Sequence, residues 1–378
     1  MRIEIHVLQN VAPANLNRDD TNSPKDAIFG GYRRARLSSQ SQKRAVRLAF
    51  ADLLPEEDRA VRTRKLLEKL TGHLAKAGKA SAEASEVAQV SLEGLGLGFK
   101  DKESEYLLFL GNREIGQLAE LILSNWEQLA PLAKASEEGR GKKKVSLPAD
   151  VKKALEAVFN GGRAVDMALF GRMLADRAEW NVDAAAQVAH AISTHKVDRE
   201  FDFYTAVDDL NPKEETGAGM MGDVEFYSAT LYRYAQLDLD KLYENLQADA
   251  DLAIRGTEAF LRSFSTTLPS GKQNTFAAHN LPDFIAVVVT ERAPRNLANA
   301  FLKPVYIRRN RPDDDLMEIS IDRLGQYWQE LDKAYGQDGD VFFLNLKGVN
   351  PEFNGRKVAS FEGLIAEVMK RVREKLGG

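Results

Sequence analysis

The chain has 378 residues, 44% of them hydrophobic and 29% charged, with a net charge of −4, which suits one large domain or two to three modules with a substantial core. It holds no cysteine, so disulfides, thiolate metal sites and cysteine nucleophiles are excluded and a reducing compartment is compatible. No run of about 18 apolar residues is present to span a bilayer, and the first ten residues (MRIEIHVLQN) lack the apolar stretch of a signal peptide, so a cytoplasmic location is the simplest expectation.

In chain order, Ile3, Ile5 and Val7 alternate with Glu4 and His6, so residues 2–9 read as a strand. A polar loop from Asn10 to Pro24 follows, with the cluster Asn15-Leu16-Asn17-Arg18-Asp19-Asp20. The paired Gly30 and Gly31 permit positive φ and close approach by another chain's backbone. Ser38-Ser39-Gln40-Ser41 supplies N-cap candidates for a helix. On it Val46, Ala49, Phe50 and Leu53 have the spacing of a docking stripe. Gln40, Lys43, Arg44 and Arg47 repeat that spacing roughly 120° away.

Residues 57–135 are mostly helical in pattern, with Val61, Leu66, Leu67, Leu70 and Leu74 on one stripe and Ile115, Leu118, Leu121 and Ile122 on another. A lysine-glycine loop at 139–144 precedes a helix capped near Pro148. This region reads as a helical insertion outside any sheet. Residues 183–193 read as an alanine-rich buried helix. Residues 196–208 and 224–235 read as strands, and Asn211–Gly222 between them makes a protruding hairpin. Helices at 238–246 and 249–265, a buried strand at Phe284–Thr290, and helices near 320–335 and 361–375 complete an α+β chain without internal repeats.

Charge is distributed unevenly. Residues 25–47 carry seven basic groups (Lys25, Arg33, Arg34, Arg36, Lys43, Arg44, Arg47) against Asp26 alone. That is +6, leaving −10 on the rest of the chain. A positive stripe on an acidic body holds a polyanion in one place and repels it elsewhere; a solvated helix face is the plainer reading.

Catalytic patterns are lacking. His190 and His195 have poor spacing for a shared metal, and structural roles are favoured for the histidines. Asp19-Asp20 and Asp208-Asp209 are pairs of the kind that hold Mg²⁺, though turn and cap roles are commoner. No Walker A or GxSxG pattern occurs. Phe203-Tyr204 on the first hairpin strand suits stacking on bases, the plainer reading being that Phe203 packs in the core and Tyr204 caps its edge. Phe170-Gly171-Arg172-Met173 sets a cation beside a flexible thioether, where core filling is the default.

The run IHVLQNVAPANLNRDDTNSPKDAIFGGYRRARLSSQSQKRAVR (5–47) closely resembles the N-terminus of the CasC family, the backbone subunit of the type I-E CRISPR Cascade complex. ALFGRM (168–173), AHAISTHKVDREFDFYTAVDDL (189–210), PSGKQNTFAAHN (269–280) and ANAF (298–301) extend the resemblance over most of the chain. It is weakest in the helical insertion and after about residue 303.

The resemblance implies a modified RRM-like (ferredoxin-like) palm, a helical finger insertion and a β-hairpin thumb. By position these are palm at 1–57, 161–196 and 228–378, finger at 58–160 and thumb at 197–227. It implies copies stacked along CRISPR guide RNA, each thumb kinking the guide held by a neighbour and presenting it to a target DNA strand, beside large, small and end-capping subunits. Guide contacts fall on Arg18, Lys25, Ser38, Gln40, Lys43, Arg44, Arg47, Arg172 and Met173, and Gly30, Gly31, Arg33 and Arg34 join them from the charge and glycine reading. The thumb wedge falls on Phe203, Tyr204, Thr205 and Val207. Lys142, Lys143, Lys144, Lys152 and Lys153 resemble a basic patch that touches incoming duplex DNA. No catalytic residue, metal or cofactor is expected. The alternative is a metal-dependent RNA endonuclease of the type III backbone kind, with Asp19 or Asp20 as its acid; the NRDD match to the DNA-targeting type argues against it.

Overall fold

The structure, a computed structural model, describes residues 1–138, 146–160, 164–174, 177–206, 220–308, 313–337 and 339–377. Two units are distinguished, residues 1–50, 186–238 and 257–378 in the first, and 51–185 with 239–256 in the second.

The first unit is built on a ten-stranded sheet. Its strands are β1 (Arg2–Ala14), β2 (Asp26–Phe29), β3 (Tyr32–Leu37), β4 (Ala186–Val188), β5 (Ala191–Ser193), β6 (Glu200–Ala206), β7 (Met220–Asp238), β8 (Phe284–Thr290), β9 (Asp340–Asn345) and β10 (Arg356–Lys357). Helix α1 (Ser39–Ala49) follows β3, while α2 (Leu316–Tyr335) and α3 (Phe361–Leu376) flank β9 and β10 in sequence. The main path runs β10-β9-β8-β1-β7-β5-β3-β2, with β4 and β6 also on β7. β1 is antiparallel to both neighbours.

Alternation along β1 implies one wet face, but a central strand has none. Ile3, Ile5 and Val7 are buried, and so are Glu4, His6 and Gln9. The polar three tolerate burial because each is partnered. Glu4 Oε2 accepts from the Tyr234 hydroxyl and the Arg295 N–H, each at 2.7 Å. His6 Nδ1 lies 2.9 Å from the Tyr232 hydroxyl. Gln9 Oε1 accepts from Arg233 at 2.6 Å. Residues 10–14, read from sequence as loop, continue the strand to Ala14.

Residues 183–193 are not a helix. They form β4 and β5, which pair with β7, and β5 also pairs with β3. Alanine's helical preference is a weak prior, and cross-strand pairing overrides it here. The helices expected at 238–246 and 249–265 are present as Leu239–Asn245 and Ala250–Thr266, and Phe284–Thr290 is the fully buried β8. The helix expected near 320–335 starts earlier, at Leu316, because Asp315 caps it by accepting the Met317 and Glu318 N–H groups.

β7 performs two tasks. Its last part pairs with β1, and its first part pairs with β6, while residues 207–219, where the protruding loop is expected, lie outside the described residues. The hairpin is thus continuous with a core strand.

In the second unit, helices Leu66–Lys76, Ser81–Gly94, Asn112–Ser124, Trp126–Glu138 and Ala149–Asn160 enclose a core of Leu66, Leu70, Ile115, Leu118, Phe159, Trp180 and their neighbours. Val61 is not on a helical stripe; it lies in strand Ala60–Thr63, paired with Leu108–Gly111. The unit also reaches past the 58–160 insertion. Asn245 Nδ2 donates to Ala168 O at 2.9 Å and Asp183 O at 2.8 Å, and Asp58 ion-pairs with both Arg113 and Arg255. These bonds tie 164–185 and 239–256 to the helices.

Candidate nucleic-acid interface

β2 and β3 pair as a hairpin whose last rung is Phe29 with Tyr32, leaving Gly30 and Gly31 as the two-residue turn. Both have positive φ, +60° and +84°, as a tight hairpin turn demands. Gly30 is also approached closely, but by this chain: a Cβ there would lie 2.0 Å from Leu302 O. Gly31 has nothing within 4 Å of such an atom. Only Gly31 keeps the open backbone that the sequence suggested for the pair.

The loop before the hairpin is fixed by its own polar side chains. Asn15 Nδ2 donates to Asn22 O at 3.0 Å and to Glu225 O on β7 at 2.8 Å. Asn17 Oδ1 accepts the Ser38 N–H at 2.8 Å, and Asn17 O accepts the Lys25 N–H at 2.8 Å. Asp19 Oδ1 accepts from Thr21 N, Thr21 Oγ1 and Ser23 N. These bonds, first among them the Thr21 hydroxyl, hold its carboxyl below the usual range. Asp19 is a turn residue in this geometry; Asp208 and Asp209 lie outside the described residues.

Ser38 caps α1, its Oγ accepting the Ser41 N–H at 3.2 Å. His190 Nδ1 accepts the Ser39 N–H at 3.0 Å. Burial, then Arg36 and Lys25, lower the His190 pKa. The inner face of α1 is Gln42 and Val46, continued by Phe50. Leu53 is 41% exposed and lies beyond the helix, so it leaves the predicted stripe. Gln42 Nε2 donates to Leu37 O and Ala189 O, and Gln42 Oε1 accepts from Arg233. Arg233, fully buried, also donates to Gln9, Phe264 O and Thr267 O, and burial lowers its pKa to about 10. Sequence reading missed this internal cation, since nothing in an alternating strand marks a buried arginine. On the outer face Gln40 and Arg44 are exposed, with Lys43 and Arg47 half-buried beside them. Burial lowers the Lys43 pKa.

The basic segment therefore divides. Arg18 is exposed and Lys25 half-buried near the start of α1. Arg33 is exposed but ion-paired with Asp26, which also takes Arg199 at 2.9 Å. Arg34 is fully buried and donates to the carbonyls of Ser193, Thr194, Phe301 and Leu302. Its guanidinium ties β3 to β5 and the 301–302 turn, so Arg34 is withdrawn from the phosphate-facing set.

On the β6–β7 hairpin Phe203 and Tyr204 are 65% and 43% exposed. Phe201, two residues before Phe203 and on its face, is equally exposed at 65%. It was missed, although i, i+2 spacing from Phe203 was the available signal. Tyr204 lies across Gly222, its cross-strand partner, where a Cβ would come 2.6 Å from the tyrosine oxygen. Thr205 lies on β6, and Val207 falls outside the described residues.

In the second unit Met173 is 87% exposed. Arg172 beside it is buried, donating to Trp180 O, Phe109 O and Phe159 O and ion-paired with Glu114 at 3.4 Å. Like Arg34 it is an internal arginine, so the direct guide contact expected of it is corrected. Lys153 is exposed and Lys152 pairs with Glu156 at 3.8 Å, while Lys142, Lys143 and Lys144 lie outside the described residues. His195 Nε2 accepts the Thr230 N–H at 3.1 Å. Among the described residues no group of three or more His, Asp or Glu side chains converges to hold a metal, and no helix is long and apolar enough to cross a membrane.

The model of the CT1975-like protein family (Cas_CT1975) matches residues 3–371. Two solved structures are similar. One is a chain of the "CRISPR RNA-guided surveillance complex, pre-nicking", with 33% identity and TM-score 0.86, covering 98% of this chain and 100% of that one. The other is a chain of a "CRISPR RNA-guided surveillance complex", with 28% identity and TM-score 0.77 over the same shares. No curated protein matches.

Proposed function

The chain belongs to the CT1975-like protein family, and from that membership we propose that it is a non-catalytic backbone subunit of a CRISPR RNA-guided surveillance complex of the type I-E kind. It binds guide RNA, repeats along it in copies of itself, kinks it and presents it to a target DNA strand beside the other Cascade subunits. The observation that carries this reading is α1. Its docking face is locked by Gln42, Val46 and Arg233, and its outer face carries Gln40 and Arg44 exposed with Lys43 and Arg47 half-buried beside them.

The chemistry fits the task. A subunit repeated along any guide must ignore sequence, and contacts to phosphate and ribose position without specifying. Sequence is read by pairing between guide and target. The exposed Phe203 and Tyr204, and Phe201 with them, suit wedging between bases because every base has a π-face. An RRM-like palm is supported by β1 antiparallel to β7 and β8, with α2 packed on β1 and α3 on β8 and β9.

Charge reversal of Lys43, Arg44 and Arg47 together tests the assignment. Wild-type protein is expected to co-purify with RNA whose length scales with the number of bound copies, and the triple variant to lose it. The salt dependence should flatten by roughly 0.7 in log–log slope per lost phosphate contact. RNA retained by the triple variant refutes the α1 interface. Mg²⁺-dependent cleavage of guide-paired RNA, lost in Asp19→Ala or Asp20→Ala, would replace the scaffold reading with the nuclease one.

A further inference from the structure

Met173 is the most exposed large hydrophobic side chain among the described residues, at 87%. A single exposed apolar residue is ordinary. What is not ordinary is how firmly its neighbours are held. Before it, Gly171 turns the chain at φ +77°, where a Cβ would lie 2.7 Å from Val182 O. Arg172 N–H donates to Val182 O at 2.9 Å, and Val182 N–H donates back to Arg172 O at 2.8 Å. After it, Leu174 N–H donates to Asn181 Oδ1 at 2.6 Å.

The Arg172 side chain runs inward to three carbonyls and to Glu114. Glu114 joins two structures. One oxygen accepts the Gly111 N–H that opens helix Asn112–Ser124, and the other meets Arg172. The two side chains are 2% and 1% exposed. Removing one partner of such a pair leaves the other charge uncompensated in the interior.

We propose that Glu114, acting through Arg172, and Asn181, acting through Leu174, are positioning residues that hold Met173 outward as a preorganised contact for a nucleobase of bound RNA. The contact of Met173 with RNA belongs to the guide-RNA reading above, on which the proposal rests, and the positioning roles of Glu114 and Asn181 go beyond it. A thioether is soft and packs well against an aromatic face. Fixing it beforehand removes the ordering cost that binding would otherwise carry. The Arg172 cation serves RNA from inside the unit, without touching it.

The test compares affinity for a labelled single-stranded RNA among wild type, Met173→Ala, Glu114→Gln, Asn181→Ala and the two double variants with Met173→Ala. In Glu114→Gln the side-chain amide oxygen can still accept the Gly111 N–H, so the helix start is retained while the ion pair is lost. Each positioning variant is expected to bind about twofold to tenfold more weakly, and to add nothing once Met173 is alanine. Losses that persist undiminished beside Met173→Ala overturn the proposal, as do unchanged affinities in both single variants. Asn181 is exposed, so its arm stands even where Glu114→Gln fails to fold. Amide exchange at residues 173 and 174 separates positioning from contact. Unchanged exchange in Asn181→Ala overturns the positioning role. Faster exchange with wild-type binding by Met173→Ala overturns the proposal by removing the base contact on which it rests.

Discussion

Asn17 Oδ1 accepts the backbone N–H of Ser38 at 2.8 Å, so a loop side chain fixes the residue that caps α1, the helix proposed to bind RNA. Asn17 O also accepts the Lys25 N–H. One residue thus sets the start of α1 relative to a flanking cation. Asn17→Ala is expected to cost about 1 kcal/mol of stability and to weaken RNA binding, read by urea unfolding and RNA titration. Wild-type affinity in a folded Asn17→Ala protein would show that the loop does not organise the interface.

Arg34 and Arg44 belong to the same charge run but to different environments, one fully buried on four carbonyls and one exposed on α1. Arg34→Met leaves buried acceptors unsatisfied and should destabilise by about 2–4 kcal/mol. Arg44→Ala should change stability by no more than about 0.5 kcal/mol while lowering the salt slope of RNA binding. Thermal melts and salt titrations of both variants check the division; similar stability losses would contradict it.

Gly30 and Gly31 share positive φ but not surroundings. Gly31→Ala should cost about 1–2 kcal/mol, the left-handed penalty alone. Gly30→Ala adds a collision with Leu302 O, a carbonyl that also accepts from Arg34. Its loss should be clearly larger in a denaturant titration. Equal costs would place the hairpin away from Leu302.

His6 is buried, and burial lowers its pKa to about 3. The unfolded chain, near the ordinary value of 6.5, takes the proton first. Its contribution is therefore fully present above about pH 6.5, declines as pH falls, and stops changing below about pH 3. Within that window the slope is about 1.4 kcal/mol per pH unit. His6→Asn should lower stability but reduce the slope by that amount, measured by urea unfolding from neutral to acid pH. An unchanged slope would mean His6 ionises freely in the fold.

Several elements were legible because local pattern and tertiary role coincide. β8 is an uninterrupted apolar run, α1 carries its cap serine and two stripes, and β6 and β7 announce themselves by alternating β-branched and aromatic residues. Residues 183–193 misled because alanine fits a helix or a crowded sheet equally well, and only pairing with β7 and β3 decided. β1 misled in a smaller way: alternation marks a strand, but not that both of its faces are covered.

By itself the sequence determined the α+β character, the basic run at 25–47, the aromatic hairpin strand and the family resemblance, since each depends on residues close together in the chain. Tertiary structure alone decided which cations remain available. Arg34, Arg172 and Arg233 look like surface arginines in a string of letters, yet each lies inside on carbonyls gathered from distant segments. A buried guanidinium is tolerable only where such acceptors converge, and that convergence is a property of the folded chain.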